Sequence, residues 1–135
     1  MLIVNSVNEI FKACPMELDR IRACYLGNCL DAAIVMKDIL NKNGVRAEIL
    51  TFRNGNDWGI RVFNNTYTFH CVTFLGDTII DVLHSDNIFK TKDYVEMLLR
   101  DNSKLRVDIS LSTGWQTNDS GVIIPSVKDL LYKNF

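Results

Sequence analysis

Histidine and proline are scarce in this sequence, with two of each in 135 residues, glutamine occurs once, and neither sign of charge dominates. Fifteen Lys plus Arg stand against sixteen Asp plus Glu, a formal net charge of -1. The basic surplus that binding a phosphate backbone requires is missing, which argues against nucleic acid as a partner. No apolar run approaches the roughly 20 residues needed to cross a bilayer, and no signal-type hydrophobic region opens the chain. The reading is a soluble, unprocessed protein with no membrane partner. Any Cys-x-x-Cys pair is missing too. The four cysteines, Cys14, Cys24, Cys29 and Cys71, offer one isolated five-residue spacing, too little to specify a zinc site, so neither a metal nor another cofactor is expected. Without a secretion signal or a cysteine-dense framework, the thiols are expected to stay reduced, which points to the cytoplasm.

What is present is the ordinary balance of a folded globular protein, 47% hydrophobic and 23% charged, long enough to close one core without crosslinks. The expectation is a single domain over residues 1–135. Ser6-Val7-Asn8-Glu9 fits a capping box, so a short helix is expected from about Val7, blocked by Pro15, with a second weakly periodic segment over 16–25. The clearest helix runs from about Cys29 to Lys42: Leu30, Ala33, Ile34, Met36, Ile39 and Leu40 form an apolar stripe, and Asn43-Gly44 supplies the stop. Asn28 is a natural N-cap. Beyond Gly44, segments 46–53, 58–63, 66–75 and 78–83 are rich in β-branched and aromatic residues and are separated by Asn- and Gly-containing turns, which predicts successive antiparallel strands. Helical spacing returns over 91–101. Short strands are expected over 105–111 and 122–124, and a closing helix over 126–133. The class is α+β, with the N-terminal helical part packed on an antiparallel sheet.

Cys29 opens the long helix, and a helix N-terminus favours a thiolate because its free amides and dipole stabilise negative charge. An imidazole that takes the thiol proton would complete a nucleophile. Of His70 and His84, strand geometry favours His70. A two-residue hairpin at Gly76-Asp77 sets His70 opposite Leu83 and Asp81 opposite Val72, which makes His70 and Asp81 diagonal neighbours on one sheet face. His84 has the opposite parity to Asp81 and is expected on the other face. Singly, each residue has a bland reading as buried thiol, satisfied strand histidine or strand-ending aspartate; together they specify far more. Trp58, beside the Asn-rich turn, is read first as partly buried core and second as lining a substrate groove.

Gly27-Asn28-Cys29, the long helix ending in Gly44-Val45-Arg46-Ala47-Glu48, and His70 and Asp81 on adjacent strands resemble the papain-like and transglutaminase-like superfamily, in which those elements follow in that order. The Asn-Cys pair, the compact size and the Gly-Val break are similar to papain-fold toxin and effector domains, some of which are glutamine deamidases. The resemblance covers residues 27 to about 84. It implies Cys29 as nucleophile, His70 as general base and acid, and Asp81 as the group that orients His70. No Gln precedes Cys29, which leaves Asn28 as the nearby amide for an oxyanion. Where toxin-type members commonly carry Asp-Pro-Gln, this chain has Asp81-Val82-Leu83.

The functional expectation is a thiol enzyme, a papain-like cysteine hydrolase or acyltransferase. It would act on a carboxamide or amide of a protein or peptide through a Cys29 thioester, with deamidation placed first on the resemblance. Protease, transglutaminase and acyltransferase chemistries stay open. An effector or toxin of this kind would work in the cytoplasm of a target cell and have a cognate inhibitor or immunity protein as a partner. The competing class is a non-catalytic binding or inhibitor protein on the same scaffold.

Overall fold

The structure is a computed structural model that describes residues 8–9, 12, 28–55, 59–84, 88–107 and 125–133. The expected helices near 7 and over 16–25 fall mostly outside these residues, and Cys14, Cys24, Trp58 and the strand over 122–124 fall wholly outside them. Helix α1 (Cys29–Lys42) is followed by strands β1 (Glu48–Asn54), β2 (Ile60–Val62), β3 (Asn65–Tyr67), β4 (His70–Phe74), β5 (Thr78–Ile80) and β6 (Ile88–Lys90). Helix α2 (Thr91–Asp101), strand β7 (Leu105–Val107) and helix α3 (Val127–Tyr132) complete the described elements. The class is α+β, with an antiparallel sheet of order β6-β5-β4-β1-β7 and a separate β2-β3 hairpin.

Helix α1 begins and ends where its apolar stripe does. The Val45 amide reaches back to the Leu40 carbonyl at 2.9 Å, and Gly44 takes φ +79, a conformation that glycine adopts without a Cβ penalty. The buried stripe Ala32, Met36 and Leu40 packs on Ala47, Ile80 and Val82 of the sheet. The opposite sheet face, carrying Leu50, Phe52, Val72, Phe74 and Ile79, packs on Tyr94, Val95 and Leu98 of α2 and on Leu130 of α3. Both faces of the sheet are therefore covered, and β4 is buried along its whole length.

The expectation of successive strand pairing needs two corrections. First, β4 pairs with β1 rather than with β3, in the register Phe52↔His70 to Glu48↔Phe74. The expected strand over 66–75 is divided: β3 pairs only with β2, and Thr68 and Phe69 separate it from β4. Second, the β2-β3 loop is Phe63-Asn64 rather than Asn64-Asn65, with φ 47 and φ 68, the two positive values of a type I′ turn. Phe63 accepts this uncommon geometry while its ring stacks on His84, 5.4 Å between centroids, and packs against Phe89.

The Gly76-Asp77 hairpin has the register read from the sequence, Thr73↔Ile80 and Phe74↔Ile79. Gly76, at φ +90, takes the first central position of the turn, where a type II′ hairpin favours glycine. The Thr91 hydroxyl donates to the Gly76 carbonyl at 2.7 Å, which ties the start of α2 to this turn. The far end of α2 is tied by Asn102, fully buried, whose amide donates to the carbonyls of Leu98 and Arg61 and accepts from the Arg61 amide at 2.8 Å. These bonds fix the β2-β3 hairpin against α2.

Candidate active site

Alternation along β4 turns His70, Val72 and Phe74 toward α2 and Cys71 and Thr73 toward α1. Asp81 follows the last residue of β5, and the register brings its carboxylate to His70. His70 Nε2–H donates to Asp81 Oδ2 at 2.8 Å. Both side chains are buried. The sequence reading of His70 and Asp81 as same-face neighbours therefore agrees with the structure.

The expectation for His84 does not agree. Strand β5 stops at Ile80 and residues 82–84 form a turn, so strand parity no longer applies. The turn brings the His84 ring back, and its Nδ1–H donates to Asp81 Oδ1 at 2.8 Å. In that tautomer Nε2 accepts from the Tyr67 hydroxyl at 2.8 Å. Tyr94 donates a further hydrogen bond to Asp81 Oδ2 at 2.7 Å. One buried carboxylate thus accepts from two imidazoles and a phenol. The rings close around it: Tyr67 stacks on His70 at 5.6 Å, and His84 meets His70 edge-on at 5.1 Å.

Sequence reasoning missed Tyr67 and Tyr94. Tyr94 lies on the apolar stripe of α2 with Val95 and Leu98, where a tyrosine reads as core. Tyr67 lay within an expected continuous strand. No local signal marks either hydroxyl.

Burial alone would raise the Asp81 carboxyl. The charge and hydrogen bond of His70, then the hydrogen bond and charge of His84, hold it well below the usual carboxylate range. Burial alone would likewise lower His70, but the charge and hydrogen bond of Asp81, and then the Cys29 thiolate, push it up to about 9. With Nε2 committed to Asp81, Nδ1 is the nitrogen left to exchange a proton. Among the described residues, His70 Nδ1 and Thr78 Oγ1 are the buried side-chain N or O atoms with no hydrogen-bond partner. A buried orphan of this kind costs about 1–3 kcal/mol, so it calls for an explanation.

Cys29 lies at the first turn of α1, 6% exposed, against the N-terminal end of β4. In its thiol form the sulfur donates to the Phe69 carbonyl at 3.7 Å. The adjacent Cys71 side chain is the largest influence lowering its pKa, burial opposes, and the proximity and charge of His70 lower it further, to about 4. Cys29 therefore lies against both sequence neighbours of His70, Phe69 and Cys71. Its link to His70 itself is one of closeness and charge, without a hydrogen bond of full geometry at Nδ1. A lowered thiol pKa beside a raised imidazole pKa favours a thiolate–imidazolium pair.

Asn28 precedes the helix but makes no side-chain cap bond, which corrects the capping expectation. It is exposed on the rim of an open cleft of about 440 Å³, lined by Asn28, Cys29, Asp31, Thr66, Tyr67 and Phe69 among others. Ring nitrogens of His70 and His84 and an oxygen of Asp81 lie within 4.8 Å of one another, a spacing that can also hold a metal ion.

No family model, no curated protein and no solved structure matches this chain.

Proposed function

We propose that the protein is a papain-like, cysteine-dependent acyl-transfer enzyme acting on a carboxamide or amide of a protein or peptide. The observation that carries this reading is the buried, unpartnered Nδ1 of His70, backed by Asp81 through Nε2 and set beside a Cys29 held as thiolate. The Cys29 thiolate attacks the carbonyl carbon. The oxyanion is met by the Cys29 amide, one of the first-turn amides without an intrahelical acceptor, and by the Asn28 side chain on the rim. His70 gives its Nδ1 proton to the departing ammonia or amine, leaving a Cys29 thioester. His70 then takes a proton from water as that water attacks, which releases the acid and restores the thiol pair. Asp81 keeps the ring oriented in both steps.

Deamidation of a protein side chain is the first choice of reaction, supported by the resemblance and by an open cleft rimmed with hydroxyl and amide groups. A reduced cytoplasm suits the free thiolate. The test is to incubate the protein with glutaminyl and asparaginyl peptides and follow ammonia release together with peptide mass. Deamidated product from the wild type and none from Cys29→Ala supports the reading. Cleaved peptide instead makes the protein a protease. A Cys29 no more reactive than the other thiols, with no product of either kind, would leave a non-catalytic binding protein.

A metal-holding reading of His70, Asp81 and His84 rests on their 4.8 Å spacing. Hydrogen bonding weighs against it, because both imidazoles already donate N–H to Asp81 and would have to turn their lone pairs to a common point. Titration with zinc discriminates: tight binding abolished by His84→Ala would favour the metal.

A further inference from the structure

Cys71 has no task in the acyl-transfer scheme, yet it packs beside the nucleophile. It belongs to the buried cluster of Cys29, Ala33 and Ile49 between α1 and the sheet, and both cysteines are unbridged. Its sulfur is held from the other side by Thr51 Oγ1 at 3.2 Å, and Thr51 is itself fully buried opposite Cys71 in the β1-β4 pairing. Cys29 and Cys71 line the same small buried recess beside Ala32 and Ala33 of α1. Two thiols in such contact, one of them opening on the cleft, are placed as an attacking and a resolving sulfur.

We propose that Cys29 and Cys71 form a peroxide-reactive pair in which oxidation of Cys29 is resolved by Cys71 to a reversible disulfide that closes the active site. This assignment extends the reading of Cys29 as nucleophile and rests on it. The oxidant is hydrogen peroxide or an organic hydroperoxide. The Cys29 thiolate attacks the peroxide oxygen, the O–O bond breaks, and hydroxide leaves, giving Cys29 sulfenic acid. The Cys71 thiol then attacks the sulfenic sulfur, the S–O bond breaks, and water leaves with the Cys71 proton. The pair has lost two electrons and the peroxide has gained them.

Closing the bond brings the two packed sulfurs to about 2 Å. Because Cys29 stands at the first turn of α1 and Cys71 is the second residue of β4, the bridge fastens the helix to the sheet. A bonded Cys29 cannot attack a carbonyl. A thiol such as glutathione reverses the closure by exchange, and the resolving step protects Cys29 from irreversible sulfinic and sulfonic acids.

The test treats the full-length protein with a small excess of hydrogen peroxide and follows intact mass, then fragments the tryptic peptides. Fragmentation is required because Cys24 shares the Cys29 peptide. The expected result is loss of two hydrogens, a Cys29–Cys71 linkage, loss of Cys29 alkylation by iodoacetamide, and recovery of both on adding dithiothreitol. In Cys71→Ser the same treatment should convert Cys29 to sulfinic acid with no recovery. A Cys29 that gains oxygen at the same rate and to the same final state in wild type and Cys71→Ser would overturn the proposal. So would a bridge to Cys24 in place of Cys71. Alkylation of Cys29 before oxidant is added reads the nucleophile assignment separately, so a reactive Cys29 that forms no bridge refutes the pair and leaves the enzyme reading standing.

Discussion

At the scale of single residues the site is organised around Asp81 rather than around the cysteine. Three donors converge on its carboxylate. Two of them serve different ends, since His70 faces the thiol while His84 holds the second oxygen and is held in turn by Tyr67. In His70→Ala, rapid alkylation of Cys29 near about pH 6 should slow markedly, because the thiolate loses its cationic neighbour. In His84→Ala the rate should fall to an intermediate value and the fold should lose about 1.5–3 kcal/mol, as Asp81 Oδ1 and the Tyr67 hydroxyl are left without that partner. Comparing iodoacetamide rates and denaturant midpoints of the two variants checks both statements, and a His84→Ala protein identical to wild type in both would show the second imidazole to be idle. The helix start at Cys29 and the meeting of His70 with Asp81 were legible in the sequence because a helix start, a hairpin turn and strand parity are local signals. His84 departs from the expectation because the end of β5 is set by tertiary packing, and strand parity, which still describes Asp81 just past β5, does not survive the turn over 82–84.

At the scale of elements the site depends on how the β2-β3 hairpin is moored. Tyr67 reaches His84 from a hairpin fixed to α2, and Asn102 makes two bonds across to Arg61 and a third back to Leu98 in the helix itself. Asn102→Ala removes them together, leaving the buried carbonyl of Leu98 and the backbone of Arg61 unsatisfied, so a loss of about 2–4 kcal/mol is expected. The local consequence is sharper than the global one. Amide hydrogen exchange should speed up first in residues 60–67, ahead of β1 and β4, and uniform acceleration would mean that Asn102 only supports the core. The spans of α1 and α2 were readable because their stripes have helical period, and α1 also ends on the stop signal Asn43-Gly44. The division of 66–75 into two strands was hidden, because Thr66, Tyr67, Thr68 and Phe69, which span the break, all favour strand. What divides it is the choice of β1 as the partner of β4, a long-range contact without a local signature.

At the scale of the whole molecule the charged pair makes stability depend on pH in a way that separates it from every other titrating group. The Cys29 thiol is lowered from 9.0 to about 4. Between those values the unfolded chain holds more protons than the native protein, so this group's contribution rises with pH; it is complete above 9.0 and lost as pH falls through about 4. His70 is raised from 6.5 to about 9. Its contribution has the opposite sign: it is complete below 6.5 and is lost as pH rises through about 9. From 6.5 to about 9 the two slopes oppose each other, and from 6.5 down to about 4 only the cysteine's remains. Asp81 is lowered, so its contribution is lost only as pH falls through values below the usual carboxylate range, outside this interval. Wild-type Tm should therefore climb from about pH 4 to 6.5 and then level off to the extent that these two groups govern it. In Cys29→Ala the cysteine slope is gone, while the charge and hydrogen bond of Asp81 still hold His70 up, so Tm should fall as pH rises from 6.5 toward 9. Groups the substitution does not touch cancel in the difference, which should grow from about pH 4 and flatten toward 9, because His70 without the Cys29 thiolate loses its proton at lower pH than in wild type. Thermal melts of the two proteins in matched buffers measure that difference directly, and parallel curves would mean that Cys29 is an ordinary buried thiol, neutral in the native state.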